Sequence, residues 1–556
     1  MTTTALPAVP ALERPALALR GAFAGTGDLL RLALRRDRVL LPVQLVVCAL
    51  LFVSTLSSVS ELYGTQEQRD TIQGTLVANP AFLVLLGPYE NTGSVASTVS
   101  WRVGIFMITV FGVLAVMAVV RHTRKEEQLG RLELVRAARV GSLAPLVTGL
   151  AVGAIFAVAS GVLTAAVVWS QGPSAGAVAL GAQVLGVGLA ASGIAAVTAQ
   201  VASSSRGANS LGVWIVIGGY LLRGGADVDP DALGWLHWVT PVGWAQQIDP
   251  YGANDYLPFL LCVALFVVGG LAAGWLTLHR DLGAGLIAER RGPAHSTSLT
   301  STSALVARLT RSSFVIWAVS VGVYMFFVGY LMATAGTMVT ENEQFAQYVT
   351  AMGVQGSDIA AGFAALIMSW TAYAGAGYGV TVVQDIRTEE ALGRTEATLA
   401  TRVSRTRYLA AWLTGAIGGA VLLLGLAGLA LGAGNALSSG TSWGDSIADG
   451  LGAAVVHVPA VLVVIGLTSA LFGWFPRLVG LGWAVIAASF LVTLLGSLLD
   501  LPDAVTDLSP FAHAPAVPAV AWSDVDWAPL GWLLLIAAAF LALALAGFRR
   551  RDVPVV

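Results

Sequence analysis

Twelve stretches of this chain are apolar for long enough to cross a hydrocarbon layer of about 30 Å, which takes about 20 helical residues. They fall near 39–58, 101–120, 143–169, 176–200, 208–224 and 257–278, then 312–334, 360–384, 408–432, 451–474, 480–499 and 529–548. Each is rich in Leu, Val, Ala and Gly and almost free of charge. A lipid-embedded backbone must satisfy its own hydrogen bonds, so a spanning segment is a helix or a strand of a closed barrel. Barrel strands are ~10-residue segments alternating polar with apolar, which these runs are not. The expected fold class is an all-α polytopic membrane protein with 12 transmembrane helices. Composition agrees: 56% of the 556 residues are apolar and 11% charged, against roughly 25% charged in a soluble domain. That excludes a basic nucleic-acid binder and disfavours a soluble enzyme. Cys48 and Cys262, the two cysteines, sit inside apolar runs and suggest neither a disulfide nor a metal site.

Orientation follows from the basic residues. With the N-terminus in the cytoplasm and alternating sides, the interior receives nearly all of the 30 Lys and Arg; Arg69, Arg102 and Arg223 alone lie outside or at the outer boundary. Asp227, Asp229, Asp231, Asp500, Asp503, Asp507, Asp524 and Asp526 fall in outer loops. The expectation is a multi-pass plasma-membrane protein with both termini cytoplasmic. About 38 residues precede the first span, so the start does not read as a signal peptide. Residues 28–38 and 303–311 mix Leu with Arg and suit helices lying in the inner interface.

The inner loop after span 2, RHTRKEEQLGRLELVRAARVGS, is repeated after span 8 as QDIRTEEALGRTEATLATRVSR. Without gaps, Arg124 matches Arg387, Glu126 and Glu127 match Glu389 and Glu390, Gly130-Arg131 match Gly393-Arg394, and Glu133 matches Glu396, at a constant offset of 263 (387 − 124). The half-ends correspond too, His279-Arg280-Asp281 with Arg550-Arg551-Asp552, as do TPVGW at 240–244 and SPFAH at 509–513. The chain therefore reads as two six-helix units in tandem with the same orientation, a parallel 6+6 pseudo-repeat. The expected boundaries are 1–38 (N-terminus with interfacial helix), 39–280 (first six-helix unit), 281–311 (linker and second interfacial helix), 312–548 (second unit) and 549–556 (tail). Within the first loop, Thr123 and Glu126 have capping-box spacing, and Glu127 and Arg131 have i,i+4 pairing distance.

Ion-coupled transporters carry titratable groups at membrane depth. No Asp, Glu, Lys or Arg lies mid-span; His457 stands there, and a packed, hydrogen-bonded histidine is its plainer reading. A phosphate loop needs Gly-Lys-Ser/Thr, yet the one lysine, Lys125, is followed by Glu126, and no soluble stretch could hold a nucleotide-binding domain. If ATP drives transport, the ATPase is a separate polypeptide, and the twin loops are its natural docking points. A 12-helix secondary transporter and a drug-sensing resistance scaffold remain the alternatives.

With RHTRKEEQLGRLE, RTEEALGRTE, RDLGAGLIAERRG (280–292), SPFAH and the terminal FRRRDV, the chain resembles permease subunits of type-2 ABC exporters, more narrowly the fused, duplicated actinobacterial permeases for drugs or polyketide antibiotics. The resemblance implies two ABC exporter transmembrane domains. It also implies hydrophobic or amphipathic cargo, no catalytic site or metal on this chain, and two copies of a separate ATPase holding ATP and Mg. The coupling residues would be Arg124, Glu126, Glu127, Gly130, Arg131, Glu133, Arg387, Glu389, Glu390, Gly393, Arg394 and Glu396. The segments 232–248 and 505–519 would form an outer gate, with Trp235, Trp238, Pro241, Trp244, Pro510 and Phe511; the tryptophans suit interfacial anchors equally. Phe106, Met107, Phe111, Tyr324, Phe326, Phe327, Tyr373 and Tyr378, on spans 2, 7 and 8, are candidates for the substrate path, with core packing as the competing role. The first outer loop, 59–100, is long for such a protein and suggests a small external cap.

Overall fold

The computed structural model describes residues 21–75, 80–89, 93–136, 140–281, 283–287, 299–341, 359–495 and 502–552. Among these, every regular element is helical. Contacts divide the chain into two units, Met1–Gly292 and Pro293–Val556. Gly292, Pro293 and part of the Ser/Thr tract of the expected linker lie outside the described residues, as does Arg139 of the repeated loop.

Unit 1 opens with α1 (Thr26–Arg36) and α2 (Leu40–Leu62). A helical run Val95–Gln128, α3, follows, interrupted by a π turn at Ser100–Gly104. Then come α4 (Ala144–Val168), α5 (Ser174–Val201), α6 (Ser205–Val228) and α7 (Leu257–His279). Between α2 and α3, the described part of the long loop forms short helices Gln66–Thr75 and Pro80–Leu86. The second of these is tied to α6: the Tyr220 hydroxyl donates to Leu85 O at 2.6 Å and Arg223 Nη2 to Val84 O at 2.6 Å.

Unit 2 contains α8 (Thr302–Glu341), α9 (Ile359–Ala391), α10 (Arg405–Ser439), α11 (Trp443–Val455), α12 (Val458–Trp474), α13 (Leu481–Leu495) and α14 (Ala528–Arg550). The basic segment 303–311 is the first part of the 40-residue α8, not a separate interfacial helix. No residue there does what Asp37 does in unit 1. The Asp37 carboxylate, at the α1 C-terminus, holds Arg121 Nη1 at 3.0 Å and His122 Nε2 at 2.7 Å, and the chain breaks before α2. Expected span 10 is the tail of a longer run split at His457, where Pro459 lacks the N–H needed to continue the ladder. His457 is buried and its Nδ1 meets Ala453 O at 2.8 Å.

Ten helical runs among the described residues are long and apolar enough to cross a membrane. At the remaining two expected spans stand α9, diluted by Gly, Thr and Tyr, and the shorter α13. The spans differ sharply in burial. α3 and α5 are 67% and 72% buried and form the centre of unit 1, whereas α2 and α7 are 17% buried and present apolar side chains outward. In unit 2 the α11–α12 run is 72% buried and α8 22%. Small residues make the central packing possible. Gly428 on α10 and Gly450 on α11 meet backbone to backbone, so that a methyl on either would press into the other's carbonyl.

Candidate functional site

The repeated loops fold alike. In the first, α3 ends at Gln128, Leu129 follows, Gly130 takes φ +68° and a short helix Arg131–Arg136 begins. In the second, α9 ends at Ala391, Leu392 follows, Gly393 takes φ +71° and the helix Arg394–Leu399 begins. The closing hydrogen bonds are the same: Leu129 N to Lys125 O and Gly130 N to Glu127 O, Leu392 N to Thr388 O and Gly393 N to Glu390 O. A left-handed residue after a helix end is the usual site for glycine, which has no Cβ to clash with the carbonyl. The repeated Gly is thus a repeated turn.

Each loop contributes one buried carboxylate to an arginine just past the sixth expected span of the same unit. Glu127 Oε1 and Oε2 accept from Arg280 Nη1 and Nη2, both at 2.7 Å. Glu127 also accepts from Gly283 N at 2.7 Å and from Arg124 Nη1 at 2.9 Å. In unit 2, Glu390 accepts from Arg551 Nη1 at 2.6 Å and Nη2 at 3.0 Å, with Arg387 at 3.5 Å. Arg551 lies over the Phe472 and Phe548 rings at 4.8 and 5.3 Å. Bidentate arginine–carboxylate pairing fixes both distance and angle. In each unit it locks the loop after the second expected span to the end of the sixth.

Two local pairings read from the sequence are not made. The Thr123 hydroxyl donates back to Val119 O at 2.7 Å and caps nothing, and the second glutamate of each loop turns inward. The arginine after the glycine pairs instead with the first glutamate: Arg131 with Glu126 at 3.3 Å, Arg394 with Glu389 at 2.8 Å. Glu126 also takes Arg36 of α1 at 2.9 Å, tying the loop to that helix. Of the expected coupling residues, Arg124, Glu127 and Glu390 are therefore buried framework. What faces outward is Leu129, Arg131 and Glu133 in one loop, and Leu392, Arg394 and Glu396 in the other. Arg280 and Arg551 were not singled out as site residues, although the matching half-ends His-Arg-Asp and Arg-Arg-Asp carried the signal.

The expected gate segments are short helices. Gly234–Val239 and Pro241–Gln246 pack on α6, with Trp235 and Trp238 more than half exposed, Pro241 buried, and Trp244 Nε1 donating to Trp238 O at 2.7 Å. Pro510–His513 places Phe511 against Tyr373, ring centroids 4.0 Å apart. Of the path candidates, Met107, Phe111, Tyr373 and Tyr378 are buried in the cores of their own units, because they lie on the helix faces that pack inward. Phe106 and Tyr324 are half exposed, and Phe326 and Phe327 meet edge to face on a partly covered part of α8.

One buried charge cluster stands at the C-terminal end of expected span 5, not at mid-span. Helix α6 runs on to Val228, past the expected end of span 5, and encloses Arg223 and Asp227, which pair at 2.9 Å. His237 Nε2 and Gln246 Nε2 reach the other Asp227 oxygen, both at 2.8 Å. Among the described residues no group of acidic, His and Cys side chains suits a metal ion.

Many apolar helices and central small-residue packing define a multi-pass membrane protein. The comparisons make the class specific. Residues 299–549 match the family model described as multidrug efflux system permease Rv1217c, C-terminal domain. The chain is 33% identical over 534 residues, 96% of either chain, to the multidrug efflux system permease protein Rv1217c of Mycobacterium tuberculosis. It belongs to this family of multidrug efflux permeases, the ABC-type class that its loops resemble.

Proposed function

We propose that the chain is the membrane subunit of an ATP-driven exporter: twelve spans in two six-helix halves, both termini cytoplasmic, moving hydrophobic or amphipathic small molecules outward. Two copies of a separate ATPase hold the ATP and Mg, and this chain carries no catalytic site. The observation that supports the reading best is the twin construction of the loops. Each presents an exposed leucine and arginine on a glycine turn, and each is clamped by a bidentate pair to the end of the sixth span of its unit. A push on the exposed tip is then carried to two helices of the half, because a hydrogen-bonded buried pair resists shear. In unit 1 the Arg36–Glu126 contact extends the linkage to α1.

The test is the Leu129→Glu/Leu392→Glu double variant. Both side chains are about half exposed, so the fold is retained. Co-purification with the separate ATPase subunit should fall at least tenfold, and drug-stimulated ATP hydrolysis with it. Unchanged complex and unchanged stimulation would defeat the docking assignment. The ion-coupled alternative draws on the buried Arg223–Asp227–His237 cluster. Efflux that stops when the proton gradient is collapsed at constant ATP would select it.

A further inference from the structure

Unit 1 contains a cavity of about 280 Å³ at the end of α3 remote from the coupling loop. It is near the lower end of the range of small-molecule sites. Its walls include Tyr89, Ser100, Trp101, Gln183, Gln246 and Asp249. No Lys, Arg or His is among the described lining residues. The aromatic pair Tyr89–Trp101, centroids 4.9 Å apart, forms one side. It is held by Trp101 Nε1 donating to Gly87 O at 2.9 Å and by a 2.9 Å bond between the Tyr89 and Thr98 hydroxyls.

The Gln246 amide is oriented by its neighbour. Gln246 turns its Nε2 toward Asp227 and donates to Oδ1 at 2.8 Å. That leaves Gln246 Oε1 buried with no partner. An orphaned buried acceptor costs about 1–3 kcal/mol and is relieved by a ligand that donates. Arg223 stands behind Gly87, but its guanidinium is met by Asp227, Val84 O and Leu85 O. The described electron-rich groups at the cavity include the Gln246 amide oxygen, the Asp249 carboxylate, whose Oδ2 also accepts from Ala253 N at 2.7 Å, and two aromatic rings, groups that attract a cation with N–H donors. Burial pushes the Tyr89 phenol above its ordinary value, so the ring stays neutral beside it. Where the matching SPFAH segment of unit 2 packs, Tyr373 meets Phe490 edge to face and Phe511 at a tilt instead.

We propose that this cavity is a binding site for an organic ammonium group, with Gln246 Oε1 and Asp249 as acceptors and Trp101 and Tyr89 as the aromatic wall. The site is independent of how transport is powered, so it is tested without ATP or ATPase. The full chain in phosphatidylglycerol nanodiscs is titrated calorimetrically with benzylammonium and, as the neutral counterpart, benzyl alcohol. Saturable ammonium binding is expected, at least tenfold tighter than the alcohol. Gln246→Leu should weaken it about tenfold, and Ser100→Leu, which fills the cavity from α3, should abolish it, both with a wild-type melting midpoint. Equal affinity for both probes, no saturable binding, or full affinity in both folded variants would overturn the proposal. Repeating the titration with phosphatidylethanolamine added separates two sources of the same chemistry. Loss of benzylammonium binding assigns the occupant to the lipid's ethanolamine head; retained binding assigns it to a free amine.

Discussion

Glu127 and Glu390 look alike in sequence to their neighbours Glu126 and Glu389, yet the two kinds have opposite environments. Glu126 and Glu389 are partly covered and pair with the exposed Arg131 and Arg394, in ion pairs that contribute up to about 1 kcal/mol. Glu127 and Glu390 are buried against Arg280 and Arg551. Removing one member of a buried pair costs about 3–5 kcal/mol, because the other charge is left without compensation. Glu127→Ala and Arg280→Ala should each lower the melting midpoint by about 6–20 °C at roughly 2–4 °C per kcal/mol. The double variant should fall by less than the sum, since the second change removes an already orphaned charge. Strictly additive losses in the four-member cycle would show that the pair contributes nothing. The sequence made the doublet visible by repetition. It could not say which glutamate turns in, since that depends on an arginine 153 residues away.

At the scale of elements, hydropathy and charge located the apolar runs, but several helices extend beyond the expected spans, as α8 (Thr302–Glu341) and α10 (Arg405–Ser439) do. The breaks inside the runs were not legible. Helix α6 continues past its expected end and carries Arg223 and Asp227 into the fold, because each charge finds its partner one turn away on the same helix. The basic start of α8 runs straight into its span, whereas α1 and α2 are separated at a buried aspartate. Packing of α10 on α11 rests on Gly428 and Gly450, where the backbones touch. Gly428→Val should cost about 1–3 kcal/mol through overpacking, read as a lowered melting midpoint. Leu271→Val on the outward face of α7, 70% exposed, should leave the midpoint unchanged. The reverse ranking would mean that lipid contact, not helix contact, limits stability.

For the whole molecule, the charge asymmetry makes a prediction about sidedness. Cys48 and Cys262 are both buried, so a single introduced cysteine reports without removing them. With a membrane-impermeant maleimide on intact cells, Trp235→Cys should label and Leu129→Cys should label only after permeabilisation. The opposite pattern would invert the topology. The sequence by itself determined that the chain is helical, spans a membrane many times and repeats its inner loop, because hydropathy, charge and identity at fixed spacing are local properties. Which helices are central to their unit and which lie at its surface was decided only by the tertiary structure. To an apolar side chain, a lipid tail and a neighbouring helix are nearly the same solvent. The difference lies in how closely backbones approach, and in which distant arginine a glutamate meets.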